Sequence, residues 1–122
     1  MPQRRVVRLS VKRADGSLAE TGINVIVADD FVGRLVGLLT RRNLHNDAGL
    51  LLVPCGSIHS FGMRFLFDAI FLDRDGRVLR CADNVPPNRL RFAPEGTVQV
   101  LEIAQGNRIH TGINLDDQLI FG

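Results

Sequence analysis

Apolar and polar residues alternate along most of this chain, as they do in strands that bury one face against a core. The alternation, together with an apolar run at 48–53 and a second one at 67–72 that only Asp68 interrupts, predicts seven short strands. They span residues 6–12, 23–27, 48–53, 67–72, 77–83, 97–103 and 119–121. Asp-Gly pairs at 15–16 and 75–76 mark tight turns, because glycine readily takes the positive φ that hairpin turns need. The pattern predicts a mainly antiparallel sheet that curls towards a barrel.

Two helical segments are predicted among these strands. Residues 29–41 begin with two possible helix caps, Asp29 and Asp30, and carry an apolar face. The face consists of Phe31, Leu35, Leu38 and Leu39. A shorter helical turn near 107–111 ends at Gly112, which suits the left-handed conformation of a helix C-terminus. The predicted fold class is α+β, mainly β: a single domain of residues 1–122 with a curved, barrel-like antiparallel sheet of about seven short strands.

The composition fits one soluble domain. A chain of 122 residues with a hydrophobic fraction of 45% can bury a core without disulfides or metals. Cys55 and Cys81 are expected to be free thiols, as is usual in the cytoplasm. Residues 1–15 are polar and arginine-rich and show no apolar export signal, and no apolar run is long enough to span a membrane. We expect a cytoplasmic protein, a monomer or weak dimer, with no cofactor.

The basic residues near the N-terminus do not indicate a nucleic-acid partner. They are Arg4, Arg5, Arg8, Lys12 and Arg13. The net charge of the chain is only +2, and no aromatic side chains that could stack on bases accompany this run. We interpret these residues as a solvated strand face and expect no binding of nucleic acid.

The segment CGSIHSFGMRF, residues 55–65, concentrates reactive side chains between two predicted strands. As a catalytic loop, it would use Cys55 or His59 together with Asp68 in a small hydrolase or transferase. As a soft-metal site, it would bind a Cu(I)-like ion through Cys55, His59 and Met63. The metal site requires a tight loop, because an extended strand at about 3.3 Å per residue would separate its outer ligands by roughly 26 Å.

A third interpretation is a shallow binding site for a small anionic ligand. Arg64 offers a planar donor for a carboxylate or phosphate, and His59 offers a second donor. Phe61, Met63 and Phe65 supply apolar walls. Asp68 stands at the start of a buried strand, where an unpaired carboxylate would be costly, so we predict that this segment donates hydrogen bonds to it. Asp68 and Arg64 could equally serve only to brace the end of the sheet.

The order of motifs resembles that of the domain of unknown function 192 family, from about Ala28 to the C-terminus. The motifs are GLLTR (37–41), AGLLLVP (48–54), IHSFGMRF (58–65), DAIFLDRDG (68–76), VLEIAQG (100–106) and TGINLDD (111–117). The resemblance implies a compact α+β fold with a curved, barrel-like sheet, and no established activity. The family's aromatic-Met-basic block maps onto Phe61, Met63 and Arg64, and its strand aspartate maps onto Asp68.

This sequence departs from the family pattern in two places. Many members have an aromatic-Trp-Met-Lys-Asn run and a proline before the aspartate. Here the corresponding residues are Gly62, Arg64, Phe65 and Leu66. Near the end, where a Gly-Asp pair is usual, the chain has Asp116 and Asp117. Many members are exported, but no leader is visible here. The sequence favours a non-enzymatic binding or accessory module, whose partner is a small anion or another protein, over catalysis.

Overall fold

The alternating segments form strands at the predicted positions. The computed structural model describes residues 5–28, 47–53, 57–59, 66–86 and 90–122, with the backbone alone for residues 57–59 and 90–92. The strands in these residues are β1 (Arg5–Lys12), β2 (Leu18–Ala28), β3 (Ala48–Leu52), β4 (Ser57–His59), β5 (Phe67–Leu72), β6 (Val78–Val85), β7 (Leu90–Phe92), β8 (Gln99–Ala104) and β9 (Gln118–Phe121). A short helix, α1, spans Asn107–Thr111. The predicted helix at 29–41 lies outside the described residues.

Seven of these strands form one mixed sheet in the order β6-β5-β8-β3-β2-β1-β9. Five neighbouring pairs are antiparallel, as predicted. The exception is β2 with β3, which run parallel and place Val27 opposite Leu51. The prediction of an antiparallel sheet was therefore wrong for this pair. A parallel connection needs a crossover of a dozen or more residues, and the chain between β2 and β3 is long enough to supply one.

The strands β4 and β7 form a separate antiparallel pair, with Ser57 opposite Phe92 and His59 opposite Leu90. Neither strand was predicted. The segment that contains β4 is rich in glycine and serine, and Pro86-Pro87 precedes β7, so both stretches were interpreted as loops. Strands of three residues are too short for alternation to reveal them.

The two edge strands of the large sheet meet at a narrow seam. Arg77, just before β6, forms an isolated bridge with Gln118 at the start of β9. Beside it, the amide of Leu119 donates to the carbonyl of Gly76 at 2.8 Å, and the amide of Val78 donates to the carbonyl of Asp117 at 2.9 Å. No continuous ladder joins β6 to β9 in the described residues. The sheet bends until its edges touch, but it does not close into the barrel that the sequence suggested.

One face of the sheet, which we call the inner face, encloses the main core. All seven strands contribute to a single hydrophobic cluster, which requires the sheet to bend around it. Its buried members are Leu9, Val11, Ile23, Val25, Val27, Leu51, Ile70, Leu72, Val78, Leu101, Ile103, Ile113 and Leu119. Ile113, which follows α1, is completely buried in this cluster. The region after α1 therefore covers the end of the core at which Ile103 and Asp68 lie opposite each other on β8 and β5.

The opposite face, which we call the outer face, is also buried along its central strands. Phe67, Phe71 and Val100 belong to one apolar cluster there, and Leu50 and Leu52 belong to another. Glu102 lies between these clusters. The strands β5 and β8 are thus buried on both faces, which explains why the run at 67–72, apolar apart from Asp68, was predicted as a fully buried strand.

The helix α1 ends as the sequence predicted. Gly112 takes a left-handed conformation with φ 72°, and its amide donates to the carbonyl of Ile109 at 3.1 Å. The Arg13 guanidinium donates to the carbonyls of Gly112 and Thr111, so a cation binds the negative end of the helix. Arg13 is therefore a structural residue and was wrongly interpreted as part of a solvated strand face.

Candidate functional site

Most of the predicted binding site lies outside the described residues. Cys55, Phe61, Met63 and Arg64 all lie outside the described residues. His59 is described by its backbone, which ends β4. Of the predicted ligand-binding residues, Asp68 has a described side chain. The binding roles of all these residues remain predictions.

Asp68 is buried, as predicted, with a relative exposure of 1%. Its Oδ1 accepts the backbone N–H of Asn84 at 3.0 Å, and its Oδ2 accepts the backbone N–H of Arg108 at 3.1 Å. A buried carboxylate needs such donors, since desolvating it without partners would cost several kcal/mol. The donors come from β6 and α1, whereas the sequence predicted donors from residues 55–65, which are largely outside the described chain. Asp68 therefore braces the end of the sheet.

A β-bulge in β6 places one of these donors. Phe67 pairs with Val85 and Ala69 pairs with Ala82, so two residues of β6 stand opposite the single residue Asp68. One of the two, Asn84, has a φ of 56°, a left-handed conformation that asparagine tolerates better than most residues. The bulge turns the backbone N–H of Asn84 towards the buried carboxylate of Asp68.

An ion pair on the surface also joins β6 to α1, the two elements whose backbone amides bind Asp68. We call this meeting point of β5, β6 and α1 the junction. The Arg108 guanidinium donates to Asp83 through two bonds, Nε to Oδ1 at 2.6 Å and Nη2 to Oδ2 at 2.7 Å. The third nitrogen, Nη1, donates to the carbonyl of Ile113 at 3.0 Å. The hydrogen bonds from Arg108 lower the pKa of the Asp83 carboxyl, and the same bonds raise the pKa of Arg108. Both partners are partly exposed, so the pair contributes little more than about 1 kcal/mol to stability.

A cavity of about 540 Å³ lies beside this junction, next to Cys81. Cys81 is a free, half-buried thiol. Burial raises its pKa to about 11, and the nearby Arg108 offsets this only in part. The thiolate is the nucleophilic and metal-binding form of cysteine, so Cys81 is poorly suited to either role near neutral pH.

Glu102 is the most unusual ionisable residue of the described chain, and its significance was missed in the sequence. It lies on the outer face of β8, opposite Ala69 of β5 and Leu50 of β3. Its relative exposure is 1%, and neither carboxyl oxygen has a hydrogen-bond partner in the described part of the protein. Burial raises its pKa to about 8. Glu102 is therefore mostly protonated at neutral pH and can donate a hydrogen bond as well as accept one.

The described residues hold no group of three or more His, Cys, Asp or Glu side chains arranged to bind a metal ion. The soft-metal site predicted from Cys55, His59 and Met63 concerns side chains that the structure does not describe. Within the described residues, no helix is long and apolar enough to cross a membrane.

The family model for domain of unknown function 192, described as "Uncharacterized ACR", matches residues 11–121. The match includes all the motifs quoted above. It begins well before Ala28, the start of the quoted motifs' resemblance to the family, and thus includes β2 and the end of β1. A search of curated proteins found no match.

Two solved structures share the fold over nearly the whole chain. A protein from Sinorhizobium meliloti 1021, described as a "putative transcription regulator", has a TM-score of 0.85 at 23% identity, covering 99% of this chain and 97% of its own. A protein of unknown function from Novosphingobium aromaticivorans DSM 12444 has a TM-score of 0.79 at 24% identity, covering 94% of this chain and 84% of its own. At these identities the likeness shows the fold alone.

Proposed function

This chain belongs to the domain of unknown function 192 family, and we propose that it is a small binding module whose site lies over the outer face of β8. The observation that carries the proposal is the fully buried carboxyl of Glu102, which has no hydrogen-bond partner in the described chain. A leucine or methionine at this position would avoid the cost of burying a carboxyl. Residues kept at such a cost are often functional, because binding sites commonly sacrifice stability.

The topology supports including the segment predicted to bind the ligand in the same site as Glu102. The strands β3 and β5 lie on either side of β8, and both run antiparallel to it. The segment between β3 and β5 therefore leaves one end of β8 and returns at the other. We propose that His59, Phe61, Met63 and Arg64 of this segment form the site together with Glu102. Asp68 holds the nearby end of the sheet through its bonds to Asn84 and Arg108.

The proposed ligand is a small anion such as a carboxylate or phosphate. Arg64 would supply the charge for it, and protonated Glu102 would donate a hydrogen bond to an anionic oxygen. Ionised Glu102 would instead repel an anion across a medium of low polarity. We therefore expect the affinity to fall as the pH rises through about 8, the pKa of Glu102. In this proposal the protein is cytoplasmic and needs no cofactor.

The experiment is a calorimetric binding screen of carboxylates, phosphates and sugar acids at pH 7 and pH 9. The best-binding anion is then titrated into the Glu102→Gln, Glu102→Leu and Arg64→Gln variants. Glutamine keeps a donor at every pH, so Glu102→Gln should bind equally at both pH values, whereas Glu102→Leu should bind weakly at both. Arg64→Gln should lose about tenfold in affinity, equivalent to about 1.4 kcal/mol. Glu20→Gln, which changes an exposed glutamate of β2, is the matched control and should behave as wild type.

Two results would overturn the proposal. One is that no anion in the screen binds; the other is that wild type and Glu102→Gln weaken equally between pH 7 and pH 9. Turnover of the bound compound that is lost in Cys55→Ser or His59→Ala would instead support the hydrolase or transferase interpretation. The geometry of Asp68 does not favour that interpretation, because both of its oxygens already accept backbone amides.

A further inference from the structure

The inner face of the sheet opens into a second cavity, which we call the mouth pocket. It has a volume of about 340 Å³ and is lined by Arg5, Val7, Val27, Leu51, Val53 and Phe121, with Gln99 beside them. The strand registers place these residues at one end of the core. Arg5 stands opposite Val27, and Val27 stands opposite Leu51. The other end of the core is the one covered by Ile113.

The walls of the mouth pocket continue the main core outward. Val27 and Leu51 are buried members of that core, with exposures of 5% and 3%. Val7, Val53 and Phe121 are half-buried and pack against it. The volume lies at the lower end of the range of roughly 300–1,000 Å³ that is usual for ligand sites, and a mainly apolar lining with few polar groups is typical of them.

Arg5 supplies a charge at the entrance. Alternate residues of a strand point to the same face, so Arg5 lies on the inner face of β1 together with Val7, Leu9 and Val11. In the described part of the chain, no hydrogen bond or ion pair is formed by the Arg5 side chain. Gln99 adds a fixed amide, since its Nε2 donates to the carbonyl of Asp73 at 3.0 Å and its Oε1 is left for other contacts.

We propose that the mouth pocket binds a small aliphatic carboxylate, with the hydrocarbon chain inserted between the valines and the carboxylate paired with Arg5. The apolar walls favour the chain because it leaves water on binding. The guanidinium favours a carboxylate over a neutral head group, because two parallel N–H donors match its two oxygens. This site is on the opposite face of the sheet from Glu102 and does not depend on the function proposed above.

The test uses decanoate as the probe and protein labelled at its valine and leucine methyl groups. Decanoate should produce saturable shifts of the methyl signals of Val7, Val27 and Leu51 in ¹H–¹³C spectra. Arg5→Gln should weaken binding by about tenfold. The matched control is Arg8→Gln, which changes an exposed arginine on the outer face of the same strand and should alter affinity less than twofold. Decan-1-ol, which has no charge, should bind to wild type more weakly than decanoate does. Arg5→Gln should show no such preference for decanoate.

Three outcomes would overturn this inference. They are the absence of saturable shifts, an equal loss in Arg5→Gln and Arg8→Gln, and shifts that concentrate on Leu50 and Leu52 of the outer face. The Glu102→Gln variant separates this site from the one proposed above. It should bind decanoate as wild type does, whether or not the outer-face site binds any anion.

Discussion

The carboxylate of Asp68 accepts the backbone N–H of Arg108, 40 residues further along the chain, at 3.1 Å. Arg108 is in the first turn of α1, whose cap residue Gly106 has no side chain to bind the free amides of that turn. Asp68, which lies on β5, thus accepts a backbone N–H from the first turn of α1, as the side chain of an N-cap residue usually does. Its second oxygen binds the bulge at Asn84, so one side chain joins β5, β6 and α1.

Replacing Asp68 should loosen this junction. In Asp68→Asn the side chain keeps its shape, but one oxygen becomes an NH₂ group that faces a backbone N–H. We expect a loss of roughly 1 to 3 kcal/mol in the free energy of unfolding, the usual cost of leaving buried donors unpaired. Urea unfolding would measure it. Asp75→Asn, in an exposed turn, should change stability by less than about 0.5 kcal/mol. Equal effects of the two substitutions would contradict the bracing role of Asp68.

The sequence could predict that Asp68 is buried and needs donors, but it could not identify them. The burial followed from the apolar residues on both sides of it in the strand. The donors depend on a bulge at Asn84 and on a helix 40 residues away, and no local pattern specifies either contact. The nearest polar segment was therefore the natural, but incomplete, prediction.

Asp116 is one of the residues at which the chain departs from the pattern that the family resemblance implies. The resemblance implies a glycine at this position, and the φ of Asp116 is 69°, in the left-handed region that glycine adopts without strain. We expect Asp116→Gly to stabilise the protein by up to about 1 kcal/mol, because relief of strain exceeds the added entropy of the unfolded chain. Asp75→Gly, at a residue without positive φ, should instead destabilise it by about 0.5 to 1 kcal/mol. Thermal unfolding of both variants would show whether the signs differ as expected.

The seam between β6 and β9 depends on the absence of a side chain at Gly76. Its φ is 83°, and an added Cβ would overlap the carbonyl oxygen of Leu119 on β9. Gly16 has a similar φ of 87° but lies in open space. Gly16→Ala should therefore lose only the cost of the strained backbone. Gly76→Ala should lose roughly 1 to 3 kcal/mol more, as overpacked sites do. Equal losses in urea unfolding would show that the close approach at the seam is unimportant.

The strands were more predictable than the way in which they assemble. Alternation identified the strands of the large sheet because each buries at least one face, and Gly112 identified the end of α1. The parallel pairing of β2 with β3 was not predicted, since it depends on the route of the chain between them. The candidate site showed the same limit. The exceptional environment of Glu102 comes from Leu50 and Ala69 on neighbouring strands, and the residues next to it in sequence only suggested a strand.

Glu102 should make the protein less stable as the pH rises. Its pKa in the folded protein is about 8, against 4.5 for an unperturbed glutamate, so the folded state holds a proton that the unfolded state has released. Its contribution to stability is therefore fully present below about pH 4.5 and is lost as the pH rises to about 8. The loss is on the order of 1 kcal/mol per pH unit. The glutamine in Glu102→Gln cannot ionise, so this variant should not show the loss of stability with rising pH that Glu102 causes.

Urea unfolding of wild type and Glu102→Gln between pH 5 and pH 9 would measure the effect directly. The variant should gain stability relative to wild type by several kcal/mol across this range, with little further change above pH 9. Glu20→Gln is the control for the loss of one glutamate, and its difference from wild type should vary little with pH because Glu20 is exposed. Parallel stability curves for wild type and Glu102→Gln would mean that the carboxyl of Glu102 finds donors in the folded protein and is ionised at neutral pH.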